Sequence, residues 1–482
     1  MIWLPLLCAL LPVLAALTLL LPRALPHARR LLLGVAALDL LALMPLLLPR
    51  QQVDRLLDNF VVIDPTAQLF LLLVNALFGG IAVHIFNRTR AAPDLVAQIH
   101  QLIRCALLFI AAVNLAILSN HLLLSWVFLE LTTLAAVPMI YHQRRDSALS
   151  AAWHYLLFSS VSLGLVLLGL LCLAHGVELA LGAEHVSLFR DRVTIDVALA
   201  APVWRRLGLL LMIFGFGTKM GLAPLFAWLP ETYDAAPPSV TALLAAVQFN
   251  AVFIGLFRVL QVYGGLEADL VSYEFTALGL ASMVLATLKI VSTTNYKKLI
   301  AYAAINHAGV IALGLALGKT AAYGVILYVV SNALVKAILF LTAGTIKAHY
   351  KTKNIKDLHG IIKEMRYSAL FFLVGTFALL GFAPFGSFFG ELIIMTGMIT
   401  SGHFVIFAAF CALLSIVFVA TGRSLFPMIW GEPNAGGVRE RESLVAMAPK
   451  LFYLAILLSL GVYTPAPLSE LLQQVATSLG AH

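Results

Sequence analysis

Charge is scarce in this chain: only 11% of its 482 residues are Asp, Glu, Lys or Arg, against 61% hydrophobic, and the mean hydropathy is +0.98. That shortage excludes a soluble globular domain and places the chain among polytopic membrane proteins. Cysteine is scarcer still, at four residues. Cys8, Cys105, Cys172 and Cys411 sit in apolar runs without CxxC spacing, and the thirteen histidines are scattered, so no disulfide framework, iron–sulfur cluster or zinc site is signalled and no cofactor is expected. Long polar stretches are missing too; the longest connection, 176–205, has mixed charge and room for a short hairpin. No basic segment precedes the first apolar run and no small-residue cleavage site follows it, so residues 1–22 read as a retained span. The formal net charge is +8, but the basic residues occupy short connections between apolar runs, where they set topology. No nucleic-acid partner is expected.

What is present is apolar sequence in membrane-length pieces. At about 20 residues per span, fourteen candidates appear: 2–22, 29–49, 66–86, 103–119, 121–141, 152–175, 206–229, 238–262, 269–291, 299–317, 321–346, 367–395, 402–428 and 447–465. Of the 31 Lys and Arg, 21 lie at odd-numbered connections, seven at even-numbered ones and three (Lys219, Arg258, Lys336) within spans. The odd connections are therefore expected in the cytoplasm and both termini on the periplasmic side of the inner membrane.

The run Gly221-Leu-Ala-Pro-Leu-Phe-Ala-Trp-Leu-Pro-Glu231 matches Gly381-Phe-Ala-Pro-Phe-Gly-Ser-Phe-Phe-Gly-Glu391, sharing Gly-x-Ala-Pro and a Glu ten residues after the Gly. Spans 7 and 12 are thus pseudo-equivalent, and because five spans separate them the copies run in opposite directions. The expected fold is an all-α membrane protein with two inverted five-helix repeats, spans 4–8 and 9–13, and helix breaks at Pro224 and Pro384. The chain divides into an N-terminal three-helix segment (1–102), the repeats (103–262 and 269–428) and a C-terminal loop with the last helix (429–482).

Charged groups inside spans are expensive, so those that persist mark function. Lys219 lies five residues before the break at Pro224. Glu130 lies in span 5, His307 in span 10, Lys336 in span 11 and Glu391 seven residues after Pro384. A Glu/Lys pair can be switched between charged and proton-exchanging states by moving one partner, and histidine passes protons near neutral pH. Blander roles compete: a structural ion pair for either lysine, packing for His307, a helix cap for Glu391. Arg258 and Lys289 near span ends read as snorkelling side chains, and His154 as interfacial. Asp39, mid-span in span 2, fits either a bond within the bundle or a neighbouring subunit.

At these residues the chain resembles the antiporter-like proton-translocating subunits of respiratory complex I, the multi-subunit cation/proton antiporters and membrane-bound group 4 hydrogenases. The stretch from about 105 to 425 carries the likeness, through Glu130, TKMGLAPLFAWLPETYDAAPPSV with Lys219, NYKKLIAYAAINHAGVIALG, and NALVKAILFLTAG followed by GFAPFGSFFGE. The resemblance implies a coupled pair, Glu130 and Lys219, and a proton-transfer axis continuing through His307, Lys336 and Glu391. Two departures stand out. Where many members carry a span-8 lysine this chain has Asn250, and where a histidine often precedes the span-11 lysine it has Asn332. Glu391 in place of a lysine resembles the M-type complex I subunit and, with Asn250, the F-type membrane subunit of hydrogenase-4 and formate hydrogenlyase-like complexes. Gln248, Asn250 and Asn332 would then hold water across the centre.

The function implied is proton translocation as a non-catalytic subunit of a membrane-bound redox complex, partnered by other membrane and peripheral redox subunits within the lipid bilayer. A secondary transporter, exchanging cations for protons or feeding an inorganic-carbon uptake system, is the alternative.

Overall fold

The computed structural model describes residues 3–48, 53–90, 96–182, 186–190, 198–263, 265–432 and 442–479. The chain is helical nearly throughout: α1 (Leu4–Thr18), α2 (Ala28–Leu43), α3 (Pro65–Arg90), α4 (Val96–Leu118), α5 (Leu122–Ile140), α6 (Asp146–Leu181) and α7 (Pro202–Met220), then α8 (Trp228–Ala235) and α9 (Pro238–Tyr263). After these come α10 (Ala268–Ser292), α11 (Tyr296–Ala316), α12 (Ala322–Tyr350), α13 (Arg366–Leu379), α14 (Gly386–Thr400), α15 (Phe404–Trp430), α16 (Leu444–Val462) and α17 (Ala466–Ser478). Eleven described helices are long and apolar enough to cross a bilayer. The remaining expected spans coincide with the short α1 and with the two broken pairs, α7–α8 and α13–α14.

Local chemistry fixes the helix ends. Pro202 starts α7 where a missing N–H costs nothing, and Gly221, at φ +92°, stops it in the left-handed region that a side chain disfavours. The Asn295 side chain caps α11 by accepting from the Lys297 and Lys298 amides at 2.9 and 3.3 Å. Within α1, Pro12 cannot bond the Cys8 carbonyl, and Asn114 of α4 donates to that oxygen at 2.8 Å instead.

The two innermost helices are α9 and α12, whose apolar windows are completely buried. They meet where Gly344 lies against Pro238, so closely that a Cβ on the glycine would sit 2.1 Å from the proline ring. At the other extreme α15 is mostly exposed, as expected for a helix facing lipid or another subunit.

Several connections depart from the sequence reading. The hairpin found among the described residues is earlier than expected, pairing Asp54–Leu56 with Val61–Ile63. Of the expected hairpin region, residues 183–185 and 191–197 lie outside the described residues. Helix α17, invisible to a search for apolar spans, is amphipathic and packs Leu471, Leu472 and Val475 into the bundle against α12 and α3. Arg258 does not snorkel: it is buried and forms a two-pronged ion pair with Asp64, which also receives Arg190 at 3.4 Å. Only the tertiary fold brings those partners together, from 194 residues apart. Asp39 is fully buried inside the N-terminal bundle, so it does not face a neighbouring subunit, and neither carboxyl oxygen finds a partner among the described residues.

Candidate functional site

The first repeat assembles its polar groups around the end of α7. Lys219, one residue before that helix stops, is buried, and its ammonium donates to the Thr133 hydroxyl on α5. Glu130 lies three residues earlier on the same helix, about one turn away, within electrostatic reach of Lys219 but not in ion-pair contact. Glu130 is only half-buried; Oε1 accepts from the Ser160 hydroxyl of α6 at 2.8 Å, and Oε2 has no partner among the described residues. The lysine is thus held one turn inward of its acid.

The centre is built on a local fault in α9. Residues Leu243–Gln248 form a π-helical segment, a feature frequent at functional sites, and it ends on Gln248. The Gln248 amide donates to the Tyr155 hydroxyl of α6 at 2.6 Å and to Thr132 of α5 at 3.2 Å, while the Tyr155 hydroxyl donates to Gln248 Oε1 at 3.0 Å. Gln248 is therefore joined to the Glu130–Lys219 cluster through adjacent threonines. Asn250 behaves differently: its amide turns back onto the Ala246 carbonyl of its own helix at 2.5 Å, and its side-chain oxygen is buried without a described partner.

Beyond the centre, the buried Lys336 ammonium of α12 lies 3.8 Å from the centroid of the Phe249 ring, the residue after Gln248, in a cation–π contact. His307 of α11 feels that charge and bonds through Nδ1 to the Tyr328 hydroxyl, one α12 residue that also lies in the electrostatic field of Glu391. Glu391, nearly buried on α14, presents Oε2 to Gly381, where a Cβ would stand 2.3 Å away. Asn332 is buried on α12 with an unpartnered amide nitrogen, and Asn306, beside His307, leaves both side-chain atoms unpartnered among the described residues. Buried polar atoms of this kind carry a free-energy cost unless something completes them.

Of the five titratable residues singled out from the sequence, Lys219, His307, Lys336 and Glu391 are buried and Glu130 is half-buried; direct contacts tie Lys219 to Thr133, Lys336 to Phe249 and His307 to Tyr328, and Gln248 bonds Thr132 beside Thr133. At the breaks, both Ala223–Pro224 and Ala383–Pro384 are cis. Sequence reasoning missed Thr132, Thr133, Tyr155, Ser160, Asn306 and Tyr328. The signal for two of them was available, since a tyrosine in mid-span needs a partner for its hydroxyl. The threonines and the serine carry no such mark, because hydroxyls in membrane helices usually bond their own backbone.

Residues 119–416 match the family model described as NADH:quinone oxidoreductase/Mrp antiporter, TM. The chain is 26% identical over 452 residues to the hydrogenase-4 component F homolog of Methylacidiphilum infernorum, covering 87% of this chain and 89% of that protein. It is 29% identical over 395 residues to NADH-quinone oxidoreductase subunit N of Desulforudis audaxviator, covering 79% and 75%. Among solved structures, a chain of an archaeal respiratory membrane complex, the membrane-bound sulfane sulfur reductase, superposes with a TM-score of 0.86 over 98% of this chain and 97% of that one, at 22% identity.

Proposed function

The chain belongs to the NADH:quinone oxidoreductase/Mrp antiporter transmembrane family, and we propose that it is a proton-translocating, antiporter-like subunit of a membrane-bound redox complex. The observation that carries the reading is the position of Lys219, bonded to Thr133 about 4.5 Å along α5 from Glu130. A lysine side chain spans that step without moving its helix. The swing alternates the ammonium between a carboxylate and neutral hydroxyl and amide partners, and so between holding and releasing its proton.

From Lys219 the path runs through Thr133 and the adjacent Thr132 to Gln248 and Tyr155, then to Lys336, His307, Tyr328 and Glu391. Neither Gln248 nor Phe249 titrates, so passage between the halves depends on water bonded to the unsatisfied Asn250, Asn332 and Asn306 side chains. Electron transfer belongs to partner subunits. Their presence is supported by the relatives, which are named as a component or a subunit of larger assemblies, and by the mostly exposed α15. The excess of Lys and Arg at odd connections supports cytoplasmic placement of those connections and periplasmic termini.

Replacing Lys219 by alanine is expected to reduce proton transport by the assembled complex to background, read with a pH-sensitive dye in proteoliposomes energised by the redox partner. Subunit stoichiometry should be unchanged. Full pumping in that variant overturns the mechanism.

A further inference from the structure

Away from the residues of the proposed proton path, the end of α10, the connection after α12 and the second half of α15 line a groove of about 840 Å³. One end is basic: Lys356 and His359, in the connection after α12, and Arg423, on α15. Both Lys356 and Arg423 are exposed, and neither has an acidic partner among the described residues. His359 is set in place by its Nε2 bond to the Lys356 carbonyl at 3.1 Å, which leaves Nδ1 toward the Gly431 backbone.

The other end is apolar. On α15, Ile416, Val419 and Arg423 fall at successive turns of one face, about 10 Å from first to last. Val291 lines the facing wall at the end of α10, and the exposed Leu288 and Val284 extend that strip one and two turns toward mid-membrane. A cationic mouth thus opens onto apolar side chains of α10 and α15. Water-soluble anions have no use for those side chains, and an uncharged lipid has no use for the mouth.

We propose that this groove binds an anionic phospholipid, with its phosphate between Lys356 and Arg423 and an acyl chain along Val419 and Ile416. The placement rests on the charge bias that assigns these helix ends to the cytoplasmic leaflet, where anionic lipids attract basic residues at helix ends. It does not depend on the chain moving protons.

The test uses the assembled complex in mild detergent with a photoactivatable phosphatidylglycerol carrying its reactive group on the acyl chain. Illumination should label the peptide spanning residues 415–428. Unlabelled phosphatidylglycerol should compete, while phosphatidylcholine and inorganic phosphate should not. Reversing both exposed charges, with Lys356→Glu and Arg423→Glu, should lower labelling of that peptide at least about tenfold, with thermal stability of the complex retained as the control for folding. Equal labelling in the double variant, or equal competition by phosphatidylcholine, overturns the proposal. Competition by inorganic phosphate makes the mouth a soluble-anion site and overturns the lipid assignment. Loss of a partner subunit from the double variant without loss of labelling assigns the surface to protein contact and overturns it too.

Discussion

At the first break Gly221, at φ +92°, precedes a cis Ala–Pro bond; at the second, Gly381, at φ +69°, precedes another, and a glutamate follows each glycine by ten residues. The backbone device is the same in both copies, yet the two glutamates have opposite fates. Glu391 is nearly buried beside Gly381, whereas Glu231 lies on the surface and pairs with an equally exposed His154 at 2.7 Å. The lysine is equally one-sided: two residues before Gly221 stands Lys219, two before Gly381 stands Leu379. Inverted symmetry therefore supplies two gaps in the membrane helices, and side chains divide the work between them. The first half holds a buried lysine one helical turn from a glutamate, while the second holds a buried glutamate and a histidine bonded to a tyrosine.

That division can be broken in order of expected effect. Lys219→Ala should erase transport, whereas Leu379→Ala at the equivalent position should leave it within about twofold once stability is accounted for, since no proton is carried there. Next, Glu391→Gln should cut proton uptake in proteoliposomes about tenfold or more, the scale of losing a positioned acid–base group. Glu231→Gln should leave uptake near wild type, because its exposed pair is screened and off the proposed path. Equal losses at the two glutamates would show that both halves use this repeat position alike.

A sharper contrast concerns the tyrosines. Tyr328→Phe removes the hydroxyl that joins His307 to the region of Glu391 and should slow uptake several-fold. Tyr155→Phe should slow it less, because Gln248 retains Thr132 as a partner. The reverse ranking in the same assay would move the rate-limiting transfer to the first half.

The smallest effect on transport is expected at Asp64, which ties the first repeat to the N-terminal segment. Burial opposes ionisation of its carboxyl, but the Arg258 and Arg190 guanidiniums outweigh it and hold the carboxyl well below the usual carboxylate range. A folded-state value below the unfolded one, about 3.9, means that this stabilisation is complete above about pH 4 and is lost as the pH falls further. Thermal unfolding in detergent should show that acid loss in the wild type. Asp64→Asn should show a lower Tm at pH 7 and a flatter acid limb, since Arg258 is then buried without its anion.

Much of this was legible in the residues. Apolar runs of membrane length, a repeated Gly-x-Ala-Pro and five titratable groups inside spans pointed to broken helices with polar groups within the bundle, because charge at that depth is costly. Other features have no counterpart in local pattern. Arg258 looked like a snorkelling side chain because its acid lies 194 residues away, and α17 escaped because its apolar face matches the bundle rather than the bilayer. Nothing in the spacing of LLAAVQFN announces a π-helical segment that turns Gln248 toward α5 and α6 and leaves Asn250 against its own backbone.

By itself, then, the sequence determined that this chain crosses a membrane many times, that two helices break, and which titratable groups stand within the apolar depth. Hydropathy and the cost of buried charge depend only on residue type and length. Which glutamate of the repeat is buried, which hydroxyls link Lys219 to the centre, and which basic residues share a groove were decided by packing alone. Those outcomes depend on which faces of separate helices meet, and residues far apart in sequence set them.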